Sequence, residues 1–485
     1  MNRQTTLPER DDAPSAARPA GTALALVVAW CRDEPWRVGE ALLVPPGAPG
    51  PTVRFGRGPS LAGEPTKSPL GQLRLGAWLP SPPLNGAAIS RNQLALQALN
   101  RERLLIRNIG RCPLFVNETA VDSCELAPGD LARLGKQLLF LCALRTLEPS
   151  SDHDPRQDFP FGEPDPHGIV GESPAIWALR RQIARTAAVP GHVLVTGASG
   201  SGKELVAQAI HALSSRAARQ IVARNAATLP ESLIDAELFG NAKNYPNPGM
   251  PDRPGLIGEA NGSTLFLDEL AELPHSAQSH LLRVLDAGEY QRLGETRPRS
   301  SDFRLIAATN RDIACLKHDL RARFTFHIAV PALDTRKEDV PLLVRHLLRE
   351  RPELGRASHD GVAPVEPSVP LDLVCNMLRH RFQTGVRELR SLLWKALIVP
   401  GDSAARGSVP EVASTAPPSP GASATDKPSQ PTPEQVQKCL DENNGMIELA
   451  WRALGLSNRF ALVRLIKRYD IEIRRRPRFG KRPSP

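Results

Sequence analysis

The sequence predicts a multidomain chain: an N-terminal all-β sandwich, a central α/β domain with a helical lid, and a C-terminal all-α helix-turn-helix. Three observations carry this reading. At 485 residues the chain is too long for one ordinary domain. Its apolar pattern changes twice, from short runs cut by Gly, Pro and Asn, to runs alternating with amphipathic stretches, to a short helical segment with a basic end. The 47 prolines cluster at the N-terminus and in one late segment, which marks linkers. With 41% hydrophobic residues the chain can build real cores, and a formal net charge of +9 suggests an anionic partner such as nucleic acid.

Taken in order, residues 1–21 are polar and Pro/Ala-rich and read as disordered. Residues 22–146 carry the runs "ALALVVAW", "ALLVP", "TVRFGRG", "QLALQAL", "LLIRNIG", "LFVNE" and "LLFLCAL", a spacing that suits a β-sandwich. The first run could pass for a signal core. Acidic residues precede it, Arg32, Asp33 and Glu34 close it, and it is too short to span a bilayer, so it reads as a buried strand. Residues 147–168 are a linker by composition. Residues 169–400 alternate strands and amphipathic helices, with the helical lid at about 335–400. A second linker, rich in Ser, Pro and Ala, covers 401–432; a helix-turn-helix pattern covers 433–473, and a basic tail covers 474–485. Seven dispersed cysteines without a CxxC pair read as free thiols in a reducing cytoplasm. The expected location is cytoplasmic, with no membrane partner.

The sharpest chemical signal is "GASGSGKE", Gly197, Ala198, Ser199, Gly200, Ser201, Gly202, Lys203 and Glu204, between the apolar strand "VLVTG" and the helix "KELVAQAIHAL". Glycines let backbone N–H groups curl around phosphate oxygens, and Lys203 can reach the β- and γ-phosphates. Glu204 stands where Ser or Thr is usual. Downstream, "TLFLDE" ends an apolar strand in Asp268, which can hold Mg2+ through water, and Glu269, which can orient the attacking water. Such a pair is ordinarily just solvated. Following a phosphate loop at this distance, it reads as catalytic, and the domain reads as an NTPase that uses ATP and Mg2+.

The motifs "VGESPAIWALRRQI", "VTGASGSGKELVAQAIH", "LPESLIDAELFG", "GSTLFLDELAELP", "LLRVLDAGEYQRLGETRPRSSDFRLIAATNRD" and "TRKEDVPLL" follow one another in order. Together this stretch resembles the AAA+ domain of bacterial enhancer-binding proteins, the activators of sigma-54 RNA polymerase. The resemblance implies an ATPase forming a homo-oligomeric ring, usually a hexamer, with each site completed by its neighbour. It puts Asn310 on the sensor asparagine, Asn225 on the asparagine that switches the glutamate, Arg323 on a trans arginine finger and Arg387 on the sensor arginine of the lid. A planar cation suits charge on a transferring phosphoryl group. There are two departures. Lys317 replaces the first of two finger arginines, and "FQTGVREL" replaces "WPGNVREL".

In this family the segment after "ELFG" carries "GAFTGA", a flexible loop whose aromatic tip touches sigma-54. Here the spacing is kept, but the six residues are Asn244, Tyr245, Pro246, Asn247, Pro248 and Gly249. The Phe and Thr are gone and two prolines stiffen the backbone. Either the loop has lost the sigma-54 contact or it is a divergent loop that still makes it.

The N-terminal motifs "VRFGRG", "ISRNQLAL", "NIGRCPLFVNE" and "LAPGDLARLGKQLLFL" resemble a forkhead-associated (FHA) domain. The resemblance implies a phosphothreonine protein as partner, with the phosphate on Arg57 and Ser90 and Arg91 as helper. Gln93 replaces the histidine that usually braces the site, so a regulatory lid or dimerisation surface remains the alternative. The segment from Glu434 to Ile473 resembles the Fis-like domain of enhancer-binding proteins, and its second helix offers Ser457, Asn458, Arg459, Arg464 and Lys467 to DNA. The function expected is an ATP-dependent regulator bound at upstream enhancer DNA. The alternatives are a DNA-binding regulator that no longer contacts sigma-54 and uses nucleotide only to set its oligomeric state, and a phosphoprotein-binding adaptor.

Overall fold

In a computed structural model of the chain, the described residues are 21–60, 67–74, 77–146, 159–350, 369–398, 433–442, and Leu454, Leu462, Ile466 and Tyr469. They fall into two units, Met1–Pro410 and Glu411–Pro485.

The first unit opens with strands β1 (Thr22–Cys31), β2 (Ala41–Leu43), β3 (Val53–Phe55), β4 (Gly71–Arg74), β5 (Ala77–Pro80), β6 (Leu94–Ala98), β7 (Leu104–Asn108), β8 (Leu114–Val116), β9 (Thr119–Ala120), β10 (Ser123–Leu126), β11 (Leu131–Leu134) and β12 (Leu138–Thr146). One sheet runs β5-β4-β2-β1-β12-β11-β8-β9 and the other β10-β7-β6-β3, all paired antiparallel. Alternate residues of the strands, among them Leu24, Leu26, Leu94, Leu96, Leu104, Ile106 and Phe140, meet in one core between the sheets. The seven runs legible in the sequence are all strands. The short strands β4, β9 and β10 carry too few apolar residues to stand out, and β5 is only four residues long.

The α/β domain follows as α1 (Pro174–Ala188), β13 (Val193–Thr196), α2 (Lys203–Ala212), β14 (Val222–Asn225), α3 (Ile234–Phe239), α4 (Gly255–Glu259), β15 (Thr264–Asp268), α5 (His275–Ala287), β16 (Glu289–Tyr290), β17 (Arg299–Ser300), β18 (Arg304–Thr309), α6 (His318–Arg321) and β19 (Phe326–Ala329). The central sheet runs β14-β15-β18-β13-β19 and is wholly parallel. Apolar residues cover both of its faces, which is why its strands read as unbroken hydrophobic runs. The lid comprises α7 (Val340–Glu350), α8 (Leu371–Arg379) and α9 (Gly385–Ile398).

The linker expected over 147–168 is corrected in its second half. Phe159 is buried and stacks on Trp177, and Asp165 is buried against Arg180 at 2.9 Å. This segment is a seam between sandwich and motor. Ala29, Val38, Leu131, Leu139 and Leu141 of the sandwich share a cluster with Leu342, Val374 and Leu378 of the lid. Trp30 Nε1 donates to Val369 O at 2.8 Å. Arg74 pairs with Glu172 at 2.8 Å, and Arg145 Nη1 donates to Glu172 O at 2.8 Å. Arg145 Nη2 also stands 3.1 Å from Glu338 Oε2, an oxygen that accepts no hydrogen bond among the described residues.

In the second unit, α10 (Pro433–Glu442) buries Val436, Cys439 and Leu440 with Leu462, and Leu454, Ile466 and Tyr469 pack against them. The expected DNA-contacting residues Ser457, Asn458, Arg459, Arg464 and Lys467 lie outside the described residues.

Candidate functional site

The phosphate loop joins β13 to α2, and its glycines take backbone shapes that a side chain would resist. Gly200 and Gly202 have φ of 69° and 100°, and a Cβ on Gly200 would strike Thr384 O of the lid. The loop ends at the N-terminus of α2, where backbone N–H groups face outward from the helix. Lys203, mostly buried, donates through Nζ to Gly197 O at 3.1 Å and Ala198 O at 3.3 Å. Burial pushes its ammonium below the usual lysine range, while Glu269 and Asp268 pull it back up. Glu204 points outward and accepts from Gln208 at 3.3 Å, so it offers no oxygen to the loop.

Asp268 ends β15 in register with Asn225 of β14. Its Oδ1 accepts from Glu269 N at 3.0 Å, and Glu269 itself sits at φ 54°, a conformation that costs a non-glycine residue energy. Glu269 Oε2 accepts from Asn310 N at 3.3 Å, so Asn310 and the glutamate are neighbours across adjacent strands. Asn225 is placed beside them but uses its Oδ1 to cap Ala227 N at 2.8 Å. Among the described residues it makes no bond to Glu269. The lid closes over this floor: Val386 N donates to Gly200 O at 3.1 Å and Arg387 Nη1 to Ser199 Oγ at 3.3 Å. Behind the loop lies a cavity of about 480 Å³ whose lining includes Ile169, Val170, Gly202, Val206, Arg336 and Leu347. Apolar walls beside a phosphate loop suit a nucleotide.

Arg323 is set apart from this cluster. It is exposed and ion-paired with Asp286 of α5 through Nε and, at 3.1 Å, through Nη2. Lys317 caps α6, its N–H donating to Gln278 Oε1 at 3.1 Å and its Nζ to Ser279 Oγ.

The loop of Asn244 to Gly249 is folded on itself. Asn241 is 2% exposed and donates to Ala242 O, Tyr245 O and Pro251 O at 2.9–3.3 Å. Asn244 Oδ1 accepts from Gly249 N at 3.0 Å, and Asn244 N donates to Met250 O at 2.9 Å. The Tyr245 ring lies against Gly294, where a Cβ would overlap it, although the side chain is 42% exposed. Arg292 pairs with Asp252 at 2.8 Å and anchors the far side. Nothing in the sequence marked Asn241 as the anchor, since a lone Asn in a loop is ordinary.

In the sandwich, Arg57, Gly58, Pro59, Leu84, Asn85 and Arg91 line a hollow of about 260 Å³. Ser90 is brought beside them, because Arg57 N donates to Ser90 O at 3.1 Å and Gly56 packs on the Arg91 backbone. Ser90 Oγ accepts from Arg111 N at 2.9 Å, which leaves its O–H free to donate. Two bracing residues escaped the sequence reading. Lys67 Nζ donates to Arg57 O and Pro59 O at 3.1 Å each. Gln93, fully buried, accepts from Ser90 N at 3.0 Å and donates to Asn108 Oδ1 at 2.7 Å and Cys112 O at 2.8 Å. The residue that replaces the expected histidine does the bracing itself.

The family model of the sigma-54 interaction domain matches residues 169–333. Transcriptional regulatory protein ZraR of Escherichia coli K12 is 35% identical over 359 residues, covering 72% of this chain and 79% of ZraR. The formate hydrogenlyase transcriptional activator of Salmonella typhimurium is 33% identical over 65% of this chain and 45% of its own length. Of the solved structures, NtrX from Brucella abortus in complex with ATP is similar at 29% identity and TM-score 0.42, covering 62% of this chain and 69% of NtrX. Among the described residues no helix is long and apolar enough to cross a membrane. From the family model and the ZraR match, the chain belongs to the sigma-54-dependent transcriptional activators, and its central domain is an ATPase of that family.

Proposed function

We propose that this chain is an ATP-driven, DNA-bound transcription regulator that works as a homo-oligomeric ring, hexameric in its active form. The observation that carries the reading is the convergence of Lys203, Asp268, Glu269, Asn310 and the lid residue Arg387 on one cleft. Lys203 would hold the outer phosphates and Glu269 would orient the attacking water in line with the γ-phosphate. Asp268 would hold Mg2+, with no help from Glu204, which faces away; Mg2+ when bound supplies charge neutralisation on the phosphate oxygens. Arg323 would serve the site of a neighbouring subunit, after exchanging Asp286 for phosphate. Asn225 would turn from its cap toward Glu269 at one stage of the cycle.

The sandwich is the input domain. Arg57, Ser90 and Arg91 would take a phosphothreonine, with two guanidinium groups and a hydroxyl donor beside one hollow. Because the sandwich shares a packed cluster with the lid, a ligand in its hollow would bias the cleft. The C-terminal unit would hold the ring on enhancer DNA through Ser457, Asn458, Arg459, Arg464 and Lys467 and through the basic tail.

A specific observation favours a second reading. The self-bonded loop at Asn244 to Gly249 is not the pliant tip that sigma-54 contact calls for, so the motor could serve a regulator that leaves sigma-54 alone. The deciding experiment is open-complex formation on a sigma-54 promoter with purified full-length protein, sigma-54 polymerase, enhancer DNA and ATP. Isomerisation that disappears in Lys203→Ala establishes the activator reading. Its absence, with ATP hydrolysis and DNA binding intact, establishes the second.

A further inference from the structure

The cleft holds a cation that none of the motifs above explains. Arg336 is 4% exposed and lines the 480 Å³ cavity with the glycines of the phosphate loop. Its Nε has no hydrogen-bond partner among the described residues. Burial drives the guanidinium below its usual range, and only the charge of Asp339 offsets this. Asp339 is already occupied: Oδ1 accepts from Glu172 N at 2.8 Å and Ser173 N at 2.9 Å, and Oδ2 from Ser173 Oγ at 2.5 Å. A buried guanidinium with unused donors is costly, and because Nε is sealed from the cavity a ligand there would meet the Nη groups.

Its position says which part of a ligand would do so. The charges nearest Arg336 are Asp339 and Arg180, and Arg180 is fixed by donating to Ile169 O at 2.7 Å and Gly171 O at 2.9 Å. Arg336 therefore belongs with segment 169–173, and Ile169 and Val170 of that segment form the apolar wall of the cavity. Phosphates go to the loop of Gly200 to Lys203, leaving this wall to the nucleoside.

We propose that Arg336 is a direct contact for the nucleoside end of the bound nucleotide, donating to ring nitrogens of the base or to ribose oxygens. This rests on the nucleotide reading of the cleft. The competing role is a counter-ion for Asp339, and Arg336→Lys separates the two because it keeps the charge and removes the planar fork.

The experiment measures binding of ATP and of inorganic tripolyphosphate to the full chain, in wild type, Arg336→Lys and Arg336→Gln, with the melting temperature of each unliganded protein. Both variants should bind ATP about tenfold more weakly, as expected for losing one hydrogen bond to a charged donor. Tripolyphosphate affinity should be unchanged, and Arg336→Lys should melt with the wild type. Equal losses for both ligands, unchanged ATP binding, or a weakened ATP affinity that tracks a fall in the melting temperature of Arg336→Lys would each overturn the proposal. If the wild type itself bound no ATP, the nucleotide reading would fall first, and this inference with it.

Discussion

The nucleotide cleft and the loop at Asn244 to Gly249 belong to one domain but use their polar groups in opposite ways. In the cleft, Arg336 Nε and Ser201 Oγ are buried with no hydrogen-bond partner among the described residues, and Lys203 donates to loop carbonyls. In the loop, Asn241 fills three carbonyls and Asn244 bonds at both its side chain and its N–H. Spare buried donors are expensive and can be met by a ligand in the cleft, whereas satisfied ones hold a shape; Arg292 Nε at the loop's far side is the exception, buried without a partner among the described residues. The motor is thus built to bind and react. Its surface loop is built to stay closed.

Glu269→Gln should break the cleft's side of this comparison most. It keeps the side chain's size and the acceptor for Asn310 N, but removes the charge that would orient and polarise water. Steady-state ATP hydrolysis should fall by about 100-fold or more while ATP binding survives. Hydrolysis within a few fold of wild type would remove Glu269 from the mechanism. Asn241→Ala should break the loop's side by a smaller amount. Tyr245 O and Pro251 O lose their donor while Ala242 O keeps Tyr245 N, a local cost of about 1–3 kcal/mol. Trypsin cleavage after Lys243 should then speed up several-fold, with ATP hydrolysis unaltered. Unchanged cleavage would mean that the Arg292–Asp252 pair holds the loop without Asn241.

The cleft was legible in the sequence and the closure of the loop was not, for a physical reason. Phosphate binding requires a backbone path that only glycines at fixed spacing allow, so Gly197 to Lys203 announce themselves. Asp268 does too, because a carboxylate must sit where a buried strand runs out. The closure of the loop depends on Asn241, whose role is set by carbonyls up to ten residues away. Arg336 was invisible likewise, since one basic residue in "TRKEDVPLL" carries no sign that it will be buried. The run "ALALVVAW" was read correctly as a buried strand. Its unbroken hydrophobicity has a tertiary cause: Leu24, Leu26 and Val28 face the sandwich core, Ala25 and Val27 pack under Leu43 and Trp78, and Ala29 meets the lid cluster. The same docking turned the second half of the expected linker into packed structure.

The seam behind the cleft offers the subtlest test, because it is a third way of using charge. Glu338 is buried beside Arg145, and burial is the largest cause lifting its carboxyl from 4.5 to about 7, with Arg145 opposing and Asp339 adding. A carboxyl whose pKa is higher folded than unfolded keeps its proton in the folded chain. Stability from this group is therefore greatest below pH 4.5 and is lost as pH rises toward about 7. The full window corresponds to at most roughly 3 kcal/mol. Glu338→Gln, neutral throughout, should flatten the fall in denaturation midpoint between pH 5 and pH 7 and raise the midpoint at pH 7. Some slope will remain, because burial pushes Asp339 upward as well. Parallel pH profiles for the two proteins would mean that Arg145 holds Glu338 ionised across the range. The seam would then be a permanent ion pair joining sandwich to lid, and the pH dependence that remains would belong to Asp339.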